Sequence, residues 1–426
     1  MILVSKTYWG TMPFWFRKPP DDALVESVAM RTHDMRMIRG LWWARADRPQ
    51  PRVGVLVIHP RVDFAHHYAI PRLVAAGFGV LAANTRHLNN DTQAEHEEMV
   101  LDVAACVRHL RERRGVEKVV LLGNSGGGSL LALYQAEARR TPNDRIERSP
   151  GGAPTHFGAA AMTRADGMIY LAAHRGQGRV LLDAIDPSVV DESDPTKTDA
   201  SIDLFDAENG FREPPAWSEY DASFMQRYLA AQTERVRRID AIAREHATRH
   251  LDATRESESQ GFEDRPFAER QAVLKRRAFE PVMVVYRTMA NPNHVARHLD
   301  PSDREYGSLL SDRPDLMNHA ALGFARTVTP RAWLSTWSGL SSNADLVANV
   351  ARIEEPSLFV YASRDREIFP RADVAPTFEA SASKDKKLVT IEGARHYFEP
   401  DPGEKHAPDV DRAMDAVVPW IEERFA

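Results

Sequence analysis

The residues best suited to chemistry lie in Leu121-Leu-Gly-Asn-Ser-Gly-Gly-Gly-Ser-Leu-Leu131, which contains Gly123-x-Ser125-x-Gly127. A serine with glycine two residues away on either side suits a sharp, strained turn whose neighbours must carry no side chain. On such a turn the serine Oγ projects as a nucleophile. A helix starting at the serine would aim the Gly126 N–H and the positive end of the helix dipole at the oxygen of an attacked carbonyl. A Walker-type phosphate loop is disfavoured, because it needs Lys followed by Ser or Thr after its last glycine and this chain has Gly128-Ser129.

A strand must precede that serine and a helix must follow it, and the flanking pattern supplies both. Val53-Gly-Val-Leu-Val-Ile58, Gly79-Val-Leu-Ala-Ala83 and Lys118-Val-Val-Leu-Leu122 are continuous apolar runs of the kind found in strands buried on both faces. Within 94–114, Met99, Val103, Val107 and Leu110 recur at helical spacing ahead of Gly115, which predicts an amphipathic helix. Alternating strands and helices predict an α/β fold with a doubly wound, mostly parallel sheet. Leu24–Thr32 and Met35–Ala44 read as a hairpin giving that sheet an antiparallel edge. Gly167-Met-Ile-Tyr-Leu-Ala172 is a further strand, after which alternation stops until Ser357-Leu-Phe-Val-Tyr-Ala362 and Lys387-Leu-Val-Thr-Ile391, with a last helix near 409–424.

The expected organisation is therefore an N-terminal arm over 1–23, a core over 24–186 and 351–426, and an inserted helical cap over 187–350 holding a long polar helix around 221–256. The arm carries five aromatics in its first sixteen residues, more than a solvated tail exposes comfortably, and is expected to pack on the body or on a second copy in a homodimer.

With the serine turn in place, the chain resembles the α/β-hydrolase family over roughly 24–186 and 351–426. The resemblance implies an acid after a late strand and a histidine after the final one. Asp365 in Ala-Ser-Arg-Asp-Arg-Glu-Ile-Phe-Pro370 looks like the acid loop, and His396 in Glu392-Gly-Ala-Arg-His-Tyr-Phe398 like the family's histidine turn. Their order along the chain is the one this fold uses. Asp183, Asp186 and Glu367 are rival acids. Two departures stand out: His59-Pro60-Arg61 replaces the usual His-Gly after the third strand, and Asn124 stands where His is frequent. Since Pro60 has no N–H, Arg61 is expected to supply the second oxyanion donor beside Gly126, and its guanidinium either enters the pocket to hold a carboxylate or turns out to pair with Asp63 or another surface acid.

The implied activity is cleavage of an ester or similar acyl bond of a small, partly apolar compound. One alternative is hydrolysis of a carbon–carbon bond in a β-diketone or ring-fission product, and another is a low-turnover binding protein on the same fold. Haloalkane dehalogenases and epoxide hydrolases are disfavoured, since those relatives carry Asp at the nucleophile. Trp333 and Trp337, just before the chain returns to the sheet, are the preferred pocket residues among insertion aromatics that include Phe279 and Tyr286. No cofactor or metal is expected: His246 with His250 and His294 with His298 are spaced by four but lack further ligands. With 55 Lys and Arg against 61 Asp and Glu, the charge balance disfavours nucleic acid as a partner. The absence of a long apolar stretch disfavours membranes. The single cysteine, Cys106, reads as a buried apolar residue and points to the cytoplasm.

Overall fold

The computed structural model describes residues 19–401, 404 and 406–426. The expected arm lies almost wholly outside these residues, and the first strand begins at Ala23. The strands are β1 (Ala23–Arg31), β2 (Met37–Arg45), β3 (Val53–His59), β4 (Gly79–Asn84), β5 (Lys118–Asn124), β6 (Gly167–Leu171), β7 (Met283–Val284), β8 (Thr327–Val328), β9 (Ser357–Ala362) and β10 (Lys386–Ile391). Eight of them form one sheet in the order β1-β2-β4-β3-β5-β6-β9-β10, in which β2 runs antiparallel to both neighbours and every other pairing is parallel. All seven residues of β3 and all six of β9 are buried, whereas the edge strand β1 alternates, as each position in the sheet demands.

The helices of six or more residues among those described are α1 (Ile70–Ala75), α2 (His96–Glu112), α3 (Gly126–Ala138), α4 (Gln177–Ala184), α5 (Ala222–Ser257), α6 (Phe267–Ala278), α7 (Ala375–Ala380) and α8 (Pro408–Phe425). Helices α2 and α3 pack together against β3 and β5, while α1 and α8 pack together and reach β4 and β9. Cys106 on α2 is fully buried in this core, and burial holds its thiol well above the ordinary range.

Residues between β6 and β9 leave the sheet and return to it. The 36-residue α5 is capped by Asp221, whose side chain accepts from the Phe224 N–H, and it packs along α6. Its first turns put Phe224 and Tyr228 into a separate apolar cluster with Leu204, Tyr220 and Val295. Further along, Val236, Ile239, Ala243 and Ala247 join the main core. The fully buried Arg235 ties the helix down by donating to Asp186 O and Tyr286 O and pairing with Glu192. No helix among the described residues is long and apolar enough to cross a membrane.

Candidate active site

Ser125 sits between β5 and α3 with φ 50° and ψ −124°, a conformation that costs a non-glycine residue about 1–3 kcal/mol. Its N–H donates to Leu171 O (3.1 Å) and Ala172 O (3.0 Å), which fastens the turn to the end of β6. A Cβ on Gly123 would stand 2.5 Å from Gly128 Cα and one on Gly127 2.5 Å from Ile58 O, both backbone atoms that have nowhere to retreat. The two motif glycines are thus required by close approach. Asn124 is structural: its Nδ2 donates to Leu171 O, and its Oδ1 lies 3.2 Å from His67 Nε2. Because His67 Nδ1 accepts the Ala69 N–H, His67 Nε2 carries the proton and donates to Asn124.

His396, in the turn after β10, places Nε2 3.0 Å from Ser125 Oγ and Nδ1 2.8 Å from Asp365 Oδ2. The other Asp365 oxygen accepts from the N–H groups of Glu367 (2.8 Å) and Ile368 (3.1 Å). Burial opposes the charged imidazole, but the charge and hydrogen bond of Asp365, aided by Glu367 and Glu399, raise the His396 pKa overall. The structure therefore joins three of the expected residues in one hydrogen-bonded chain. Of the rival acids, Asp186 accepts from Ser188 N–H and Asn318 and Asp183 lies 3.9 Å from Arg179, whereas Glu367 lines the cavity beside Ser125.

The cavity above Ser125 has a polar wall of His59, Arg61, His174, Gln177 and Glu367, and an apolar wall of Val180, Leu309, Phe324 and Trp337. Burial pushes the Glu367 carboxyl up to about 7, with His396 opposing and Asp365 adding to the shift. Burial, with the nearby Arg61 and His396 charges, holds His59 well below the ordinary histidine range and His174 down to about 3, so both rings are neutral.

Arg61 departs from the expectation. Its backbone N–H donates to His59 Nδ1 (3.1 Å), as does that of Val62 (3.0 Å), so both donors are engaged within the turn. Pro60 has no N–H, so these are the first two backbone donors after β3, and both close onto the preceding ring. The Arg61 guanidinium is buried, lies 5.3 Å over the Trp337 ring and donates from Nη1 to both carboxylate oxygens of Asp91, an acid other than Asp63 as one of the two expectations allowed. Trp333 is also displaced from its expected role. It is fully buried and donates from Nε1 to Asp240 Oδ1 (2.8 Å), anchoring α5, whereas Trp337 lines the cavity. Phe279 and Tyr286 are exposed and take no part.

His246 and His250 border a separate surface hollow, and His294 is buried against Phe369. Among the described residues no group of three or more His, Cys, Asp or Glu could hold a metal ion. His174 and Gln177 were not among the expected site residues. Their signal was available, since Ala172-Ala-His-Arg-Gly-Gln177 follows a buried strand at the carboxyl end of the sheet, where open α/β folds place ligands.

No protein-family model matches the sequence, and no curated protein matches it. Solved structures do. The α/β hydrolase GrgF from Penicillium sp. sh18 is 12% identical with a TM-score of 0.50, the match covering 94% of this chain and 99% of that one. A monoacylglycerol lipase from Paleococcus ferrophilus is 16% identical with a TM-score of 0.40, covering 94% and 99%. The esterase domain of a Rhodothermus marinus protein is 11% identical with a TM-score of 0.42, covering 95% and 100%. Together with the strand order, the first of these shows that the chain has the α/β-hydrolase fold.

Proposed function

We propose that the protein is a serine hydrolase that cleaves an ester or similar acyl bond of a small, partly apolar compound. The observation that carries this reading is the unbroken Ser125–His396–Asp365 hydrogen-bond chain opening onto a cavity with an apolar wall. Ser125 Oγ attacks the acyl carbon while His396 Nε2 takes its proton, and Asp365 holds the proton on Nδ1 and stabilises the imidazolium. The imidazolium then returns the proton to the leaving group, and water attacks the acyl-serine by the same route in reverse. The N–H of Gly126, first residue of the 13-residue α3, supports the oxyanion with the helix dipole behind it. Residues 187–350 act as the cap, since they supply Leu309, Phe324 and Trp337 to the cavity wall.

The test is covalent labelling of the full-length protein with a fluorophosphonate, followed by mapping of the modified residue. Ser125 is expected to carry the label, and Ser125→Ala is expected to lose both labelling and ester turnover while melting at the wild-type temperature. Turnover by Ser125→Ala within tenfold of wild type would refute the assignment.

A further inference from the structure

Both backbone donors that follow β3 are spent on His59 Nδ1. Accepting at Nδ1 forces the proton of the neutral ring onto Nε2, which lines the cavity as a donor. The same logic applies to His174, whose Nδ1 accepts the Gly176 N–H at 3.0 Å. A third donor is Gln177 Nε2. It is buried and makes no hydrogen bond among the described residues, although its carboxamide also faces His96. These three nitrogens close around one backbone position: a Cβ on Gly126 would stand 2.2 Å from Gln177 Nε2, 3.0 Å from His59 Nε2 and 3.1 Å from His174 Nε2. Glycine at 126 is what lets them approach. A buried donor left without an acceptor costs about 1–3 kcal/mol, so Gln177 Nε2, with the two imidazole N–H groups beside it, favours a ligand that brings oxygens to them.

We propose that His59, His174 and Gln177 form a side-chain donor cradle for two substrate oxygens. This rests on the serine-hydrolase reading above. His59 Nε2–H takes the place of the usual second backbone donor and, with the Gly126 N–H, binds the oxygen of the scissile carbonyl. His174 and Gln177 bind a second oxygen carried on the acyl side, and the substrate class is an acyl compound with an oxo group near the scissile carbonyl. The apolar wall then receives the remainder of the acyl chain.

The experiment compares phenyl 3-oxobutanoate with phenyl butanoate, which differ by one keto oxygen, on the full-length protein. Each kcat/KM is divided by the hydroxide-catalysed rate of the same ester. Wild type is expected to favour the oxo ester at least tenfold. Gln177→Leu, His174→Ala and Gly126→Ala, the last of which forces Gln177 Nε2 aside, are expected to erase that preference. His59→Ala is expected to lower kcat for both esters by about 10²–10³-fold, the usual loss for one oxyanion donor.

A preference that survives Gln177→Leu and Gly126→Ala, or a wild type that shows none, would overturn the second-oxygen site. A kcat for His59→Ala within threefold of wild type would overturn its oxyanion role. His59→Ala also strips two backbone N–H groups of their acceptor, so if it does not fold, the Gln177 and Gly126 variants decide the matter. Labelling of Ser125 with turnover of both esters but no preference removes the second-oxygen site and leaves the serine hydrolase standing. Absence of both labelling and turnover removes the hydrolase, and the cradle with it.

Discussion

Asp365→Asn tests the proposed division of labour most sharply, because the structure dictates which way the new amide must face. Asp365 Oδ1 accepts two backbone N–H groups, from Glu367 and Ile368. An asparagine there must keep its carbonyl oxygen on those donors, since its NH2 would meet two N–H groups head-on. The NH2 is then left facing His396 Nδ1, where the carboxylate oxygen now sits 2.8 Å away. To accept from it, His396 must shed its Nδ1 proton and carry the proton on Nε2. That nitrogen, 3.0 Å from Ser125 Oγ, becomes a donor and no longer takes the serine's proton. The expected loss in kcat is about 10⁴-fold, or about 5.4 kcal/mol of transition-state stabilisation at 1.36 kcal/mol per tenfold. Shape is preserved, so the melting temperature should change little and ester binding should survive. The assay is steady-state hydrolysis of a nitrophenyl ester together with thermal unfolding of the same preparation. A loss below tenfold, or a larger loss in Asp183→Asn or Glu367→Gln, would show that Asp365 does not orient the base.

Three further outcomes are expected. Because Asp365 raises the His396 pKa above its ordinary 6.5, activity should fall on the acid side with a midpoint above that value, as protonation removes the base; Asp365→Asn should move this limb to lower pH, and an unmoved limb would assign it to another group such as Glu367. Trp333→Phe deletes a buried hydrogen bond to Asp240 and should cost about 1–3 kcal/mol of stability in denaturant unfolding with KM unchanged, whereas Trp337→Leu should raise KM roughly tenfold; a reversed pattern would contradict the positions of the two rings. Arg61→Ala should affect acidic and neutral substrates alike in KM, because the guanidinium charge is already matched by Asp91, and a rise confined to acidic substrates would show that it binds them directly.

The serine turn was legible in the sequence because its requirement is local. A strained serine excludes side chains two residues away whatever surrounds it, and Gly123 and Gly127 record that exclusion directly. The strands were legible for a similar reason: burial on both faces makes β3, β5 and β9 continuously apolar, and a chain that leaves the sheet after β6 loses that pattern until Ser357. Asp365 and His396 could be placed once the fold was suspected, since each follows the end of a strand.

The second oxyanion donor was not legible in this way. That Pro60 lacks an N–H is readable from the sequence, but which acceptor the next N–H meets depends on where the folded chain places the His59 ring, which packs beside Phe64. Trp333 and Trp337 look equivalent at a spacing of four, and only distant partners separate them: Asp240 on α5 claims one ring, while the other lies beneath Arg61. His174, Gln177 and Gly126 carry no shared motif, because 51 positions separate the glutamine from the glycine and nothing short of the folded sheet brings them together. Sequence recorded the constraints that each short segment satisfies alone; tertiary structure decided which polar groups face one another, since that depends on the meeting of strand ends remote in the chain.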